Sequence, residues 1–232
     1  MRMHKYGPVS TSIVLAILMA SPVVLANGGN SGGGGSFDAP RQMSPDDEAK
    51  AAYSRGVRIV KDADKAAQAA SEATDEKKKA KLVEKSHKLY ENARGYFGAA
   101  LQRKQTMYEA WNYVGYTSRK LGEYDKALAA YGEALRLNPN YNEAIEYRGE
   151  AYLALNRLED AKGAYMSLFR DARPLADELM AAMQKWLSNR RADAAGVAAA
   201  DVDAFAQWID ERTTIAQQTA SLAVDGATAH WN

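Results

Sequence analysis

The chain has 232 residues, 47 % of them hydrophobic, and a formal net charge of +1. That length suits one or two domains, and so even a charge balance exerts no global pull toward nucleic acid or anionic lipid. No cysteine is present, which excludes disulfides, thiolate catalysis, cysteine-held metals and a lipid-modified N-terminal cysteine.

Residues 1–26 read as a secretory signal. Arg2, His4 and Lys5 make a basic start, residues 13–20 are apolar, Ser21-Pro22 breaks the run, and Val24-Leu25-Ala26 offers modest side chains for cleavage. A permanent anchor is the competing reading. The apolar stretch at 13–26 falls short of the roughly 20 residues that span a bilayer, and Pro22 interrupts it. Cleavage would remove two basic residues, leaving 28 of the 30 against 29 acidic ones. A periplasmic or secreted location follows from this reading. Residues 27–43 are expected to be a flexible linker, because 27–36 are almost entirely glycine, asparagine and serine and have no apolar area to bury. The glycines at 32–35 are not a phosphate loop, because no Gly-Lys-Ser/Thr follows them.

Residues 44–105 are expected to form an elongated helical hairpin. Ser44-Pro45-Asp46-Asp47 combines an N-cap, a first-turn proline and acids at the positive helix end. The acids Asp46-Asp47-Glu48 are explained by that role before metal binding. Tyr53, Gly56, Val57, Val60, Ala63, Ala67 and Ala70 trace one helical face. The turn is placed near 71–75. Lys77-Lys78-Lys79, with Lys81, Lys85 and Lys88, is locally basic. A solvated helix face explains it first, and an anionic polymer or lipid head group is the alternative.

Shifted against itself by about 34 residues, the sequence falls into register. Tyr90, Tyr124 and Leu158 align, as do Ala93, Ala127 and Ala161; Phe97, Tyr131 and Tyr165; and Ala100, Ala134 and Leu168. Gly115 matches Gly149, and Gly122 matches Asn156. The period identifies a helix-turn-helix repeat, and a lone hairpin would leave an apolar face uncovered, so hairpins must stack. Gly115 and Ala127 allow close approach within a hairpin, Gly122 and Asn156 suit left-handed caps, and Pro139 stops a helix. Tyr131 would fill the gap toward the next hairpin.

At Trp111-x2-Val114-Gly115, Ala127-x3-Tyr131, Ala134 and Asn138-Pro139, and again at Ile145-x2-Arg148-Gly149-x2-Tyr152 and Ala161-x3-Tyr165, the chain resembles the tetratricopeptide family. It departs at Ser118, where the family usually has tyrosine, at Arg148, where it prefers leucine, and at Pro174, one residue later than the family's terminal proline. The resemblance covers 106–174 as two repeats. It implies an all-α solenoid of stacked hairpins, with the elongated first hairpin at one end. Residues 175–224 supply a capping helix pair, through the stripes Leu175, Leu179, Met183, Trp186 and Leu187, then Val202, Phe205, Ile209, Ala216 and Ala220. Residues 225–232 are a loose tail.

The resemblance further implies a concave groove, lined by the first helix of each hairpin, that receives a protein or peptide segment. By position, Asn112, Tyr116, Arg119 and Lys120 face it from one repeat and Glu146 and Glu150 from the next, with Asp177 and Gln184 following. A clamp for a terminal carboxylate is disfavoured by the glutamates, and a mixed or basic segment suits that side. No catalytic residue, metal or cofactor is expected. Only His4, His87 and His230 exist, none with a partner at catalytic spacing. The basic run lacks the interleaved aromatics of nucleic-acid binding. After signal cleavage no stable membrane span is expected. The other functional class is a structural part of a cell-envelope assembly, docking through outer helix faces or the long first hairpin.

Overall fold

The computed structural model describes residues 43–193 and 196–228, and the expected signal, nearly all of the linker and residues 229–232 lie outside them. The described residues form eight helices and no strand: α1 (Pro45–Glu72), α2 (Glu76–Arg103), α3 (Tyr108–Lys120), α4 (Tyr124–Leu137), α5 (Asn142–Ala154), α6 (Leu158–Asp171), α7 (Arg173–Ala192) and α8 (Ala199–Thr228). None of them is long and apolar enough to cross a membrane.

Helix α1 starts as its residues dictate. The Asp47 amide donates to the Ser44 hydroxyl oxygen at 3.2 Å, Pro45 opens the first turn, and three acids follow. Asp75 caps α2 in the same way, accepting from the Lys78 amide. Both helices have 28 residues, against 13 and 14 in α3 and α4. Two ion pairs hold the open end of this first hairpin, Asp46 with Lys104 and Glu48 with Arg103.

The three hairpins share one device, an aromatic or aliphatic side chain over a glycine. A Cβ on Gly56 would meet the Phe97 ring at 2.6 Å, and one on Gly115 would meet the Tyr131 ring at 2.5 Å. Both rings are fully buried. The tyrosine therefore seats within its own hairpin. Its ring also reaches Tyr147 of α5, 6.3 Å between centroids, as expected of a gap-filler between hairpins. Gly149 departs from the pattern. There Leu179 of α7 takes the place, 2.7 Å from a Cβ position, and Tyr165 turns to Phe169 and Trp208 instead.

The turns inside the two repeats are superposable in hydrogen bonding. The Glu123 amide donates to the Ser118 carbonyl at 2.9 Å and Arg157 to Tyr152 at 2.8 Å. Gly122 (φ 78°) and Asn156 (φ 58°) take the left-handed position that such a helix end requires. Ser118 stands where the family's tyrosine is expected because the space is used differently. Its hydroxyl, buried, accepts from Arg94, which also pairs with Glu123.

Two expectations need correction. Pro174 does not end the second repeat; it lies in the first turn of α7, where a missing amide hydrogen costs nothing. Helix α8 continues past Gly226 to Thr228 rather than giving way to a loose tail at 225. Helices α7 and α8 pair through Trp186 and Phe205, whose rings meet edge-on at 5.3 Å, and α7 also packs on α5 and α6. The largest core cluster lies at this end, around Leu168, Leu179, Met183 and Phe205.

The stacking is one-sided. α1 touches α3, α3 touches α5 and α5 touches α7, while no comparable approach joins α2 to α4 or α4 to α6. The first helices of the hairpins thus form a continuous inner wall.

Candidate functional site: the wall of first helices

On α3 a helix turn separates Asn112, Tyr116 and Arg119-Lys120, and α5 presents Glu146 and Glu150 one turn apart. The structure sets these six residues at different depths. Asn112 and Glu146, at equivalent positions in the two repeats, are each only 2 % exposed and lie beneath the wall. Tyr116, Arg119 and Glu150 are partly buried, and Lys120 is exposed.

Tyr116 is a hub rather than a free contact. Its ring meets Tyr90, Tyr113 and Tyr147 at 6.3, 6.2 and 5.1 Å. Its hydroxyl donates to Asp64 of α1 at 2.7 Å, and the Tyr90 hydroxyl donates to the same Asp64 oxygen at 2.6 Å. Burial, then the bond to Asp64, raises the Tyr116 pKa well above the phenolic range. Two cations crowd the ring: the Arg119 guanidinium at 5.4 Å from its centroid and the Lys120 ammonium at 5.3 Å. Arg119 also stands 5.3 Å from the Tyr147 centroid and pairs with Glu150. Burial pushes the Tyr147 hydroxyl up to about 12.

Glu150 is therefore already neutralised inside the wall. Glu146 is not. Its Oε2, like Asn112 Oδ1 and Arg119 Nε, finds no hydrogen-bond partner among the described residues. Burial pushes the Glu146 carboxyl up to about 7; Arg119 and Lys120 oppose the rise and Glu178 adds to it. Lys120 is exposed as a residue, yet its ammonium end is crowded. Burial of that end, then Arg119, lowers its pKa, and Lys185 of α7 contributes in the same direction.

A cleft of about 450 Å³ opens beside this hub, lined by Asp64, Gln68 and Ser71 of α1, Tyr90 of α2, and Tyr116 and Lys120 of α3. Asp177 and Gln184 lie elsewhere. They line a cleft of about 370 Å³ with Tyr165, Met180 and Ala216, between α7 and α8. The structure thus unites Tyr116, Arg119, Lys120 and Glu150, buries Asn112 and Glu146, and separates Asp177 and Gln184. Sequence reasoning missed Asp64. A signal was present, because Asp64 is an acid inside the otherwise apolar face of Val60, Ala63 and Ala67.

The wall presents charge of both signs to solvent. Its exposed charge is positive at Lys120 and Lys185 and negative at Glu143 and Glu178. Residues 108–141, spanning α3 and α4 and ending at the door of α5, match the family model of the tetratricopeptide repeat. The matched repeat sits at the centre of an all-α stack of helical hairpins.

Proposed function

We propose that this chain is an exported scaffold whose inner wall captures a segment of another protein. The observation that supports the wall as the binding surface is the tyrosine hub at Tyr116. It ties α1, α2, α3 and α5 into one rigid face beside an open cleft. A preorganised face loses little entropy on binding. Tetratricopeptide repeats generally mediate protein–protein contacts, in keeping with a binding rather than a catalytic role. The guest that suits the wall is an extended segment of mixed charge, acidic where it meets Lys120 and Lys185 and basic where it meets Glu143 and Glu178. Export rests on the basic start and short apolar run of residues 1–26.

The test uses a photoreactive side chain at Lys120 or Gln68, with Arg136 on the outer face of α4 as the comparison site, in cells making the full chain. Adducts to one partner from 120 and 68 but not from 136 are expected. Equal capture from 136 would sink the groove reading. Sequencing the mature N-terminus checks export, with Asn27 as the expected first residue. The second reading, an envelope assembly part docked through the long first hairpin, is favoured by the 28-residue length of α1 and α2. Adducts from exposed positions between 76 and 90, with none from 120 or 68, would select it.

A further inference from the structure

The first hairpin carries a row of cations that its own folding does not explain. At 100° per residue, Lys77, Lys78, Lys81, Lys85 and Lys88 occupy a sector of about 100° on α2 and a length of about 17 Å. All five are exposed, and no α2 residue between positions 76 and 85 is buried. The packed face of the helix, through Ser86, Tyr90, Ala93, Phe97 and Ala100, points roughly 130° away.

The row opposes local helix electrostatics. Lys77 and Lys78 sit in the first turn of α2, where the helix end is positive and acids are favoured. Lys77, Lys81 and Lys85 repel one another at four-residue spacing. Among the described residues, Lys88 alone of the five has a carboxylate in range, Glu84 at 2.6 Å. Lys79, outside the row, stands 3.9 Å from Glu76. The segment is also the part of the hairpin that overshoots the stack. Gly56 and Phe97 hold the register that Gly115 and Tyr131 hold in the next hairpin. Beyond Gly56, α1 runs to Glu72, whereas α3 ends five residues after Gly115 at Lys120. The overshoot is about 16 Å.

We propose that this lysine row is a docking surface for an anionic lipid bilayer, laid along α2 at the projecting end of the molecule. The row runs along one side of the helix, contains no aromatic or arginine side chain, and is made of strongly hydrated point charges. Those features suit the diffuse field of lipid head groups. They do not suit the desolvated centre of a protein interface, where lysine is depleted. The docking is weak and reversible, each lysine contributing roughly fivefold in partitioning.

The experiment is co-sedimentation of the full chain with vesicles of phosphatidylcholine alone or of phosphatidylcholine mixed with phosphatidylglycerol. Binding is expected to the mixed vesicles and to fall as salt rises. Lys77→Ala/Lys81→Ala/Lys85→Ala should weaken it about 100-fold with helicity unchanged, since alanine is the better helix former. The matched triple Lys126→Ala/Arg136→Ala/Arg170→Ala removes equal charge from exposed positions on α4 and α6 and should change it less than about twofold. Equal losses in the two triples would overturn the proposal. So would equal binding to neutral vesicles, which would point to the apolar run at 13–26. Binding to polyglutamate without binding to the mixed vesicles would overturn it in favour of an acidic protein partner.

Discussion

The two central hairpins are built on one template and end in different surroundings. In the first, Gly115 faces a tyrosine ring of its own hairpin; in the second, Gly149 faces Leu179 from the next helix. Asn112 in the first becomes Glu146 in the second, equally buried, and Gly122 becomes Asn156. What a 34-residue period preserves is the backbone path and the turn. What it leaves free is the identity of the neighbour that fills each space. Position-by-position exchange between the repeats therefore isolates the contribution of each neighbour.

The largest contrast is expected at the glycines. Gly115→Ala drives a methyl into the buried Tyr131 ring and should cost about 3 kcal/mol, whereas Gly149→Ala presses on the terminal methyls of a leucine and should cost about 1 kcal/mol. Urea denaturation of both variants measures the gap, and equal losses would show that the two sites pack alike. Adding Tyr131→Leu to Gly115→Ala should recover part of the loss.

Next comes the buried carboxyl. With a folded pKa of about 7 and an unfolded value of about 4.3, Glu146 holds its proton more tightly in the folded chain. Its contribution is most favourable below about pH 4 and is lost as pH rises to about 7, a cost on the order of 3 kcal/mol above that. Glu146→Gln should then stabilise the protein at pH 8 by up to about 3 kcal/mol and have little effect at pH 4. Thermal melts across that range read the slope. Asn112→Asp should install the same dependence in the first repeat; a flat response there would show that the two buried positions are not electrically equivalent.

Smaller is the effect of the tyrosine acceptor. Asp64→Ala deprives the Tyr90 and Tyr116 hydroxyls of their shared partner and should cost about 2 kcal/mol. The second repeat has no counterpart of this residue. Calorimetry of the variant, set beside one at an exposed acid such as Glu91, measures it. Smallest are the turns. Asn156→Gly removes the oxygen that accepts from Trp186 and Arg190 and should cost about 1 kcal/mol. Gly122→Asn meets open space around its Cβ position, but the left-handed φ of 78° strains any side chain, and asparagine, which tolerates that region best, should cost about 0.5 kcal/mol.

Much of the fold was legible because its signals are local. The cap at Ser44, the turn after Glu72, the left-handed Gly122 and Asn156 and the glycine–aromatic pairs all follow from neighbours in sequence or from one fixed period. The candidate site was less legible because depth is a tertiary property. Helix position places Asn112 and Tyr116 on one face, but α5 and α7 decide that Asn112 and Glu146 are covered. Arg119 and Glu150 are drawn into a pair that removes Glu150 from the accessible wall. Asp64 lies 52 residues from the tyrosine it holds, a distance no periodic pattern spans. Pro174 was misplaced because a proline ends one helix and begins another with equal ease, and only the packing of α7 tells which.

That junction carries a consequence of its own. Ala172 closes α6 and opens α7 with no residue between, so the last helix is keyed to the array like a toothed coupling. One residue inserted between Pro174 and Leu179 would rotate everything after it by about 100°, swinging Leu179 away from Gly149 and Trp186 away from Asn156 together. Evolution or engineering can lengthen this protein at its first hairpin with little disturbance, but its far end admits change only in whole helical turns.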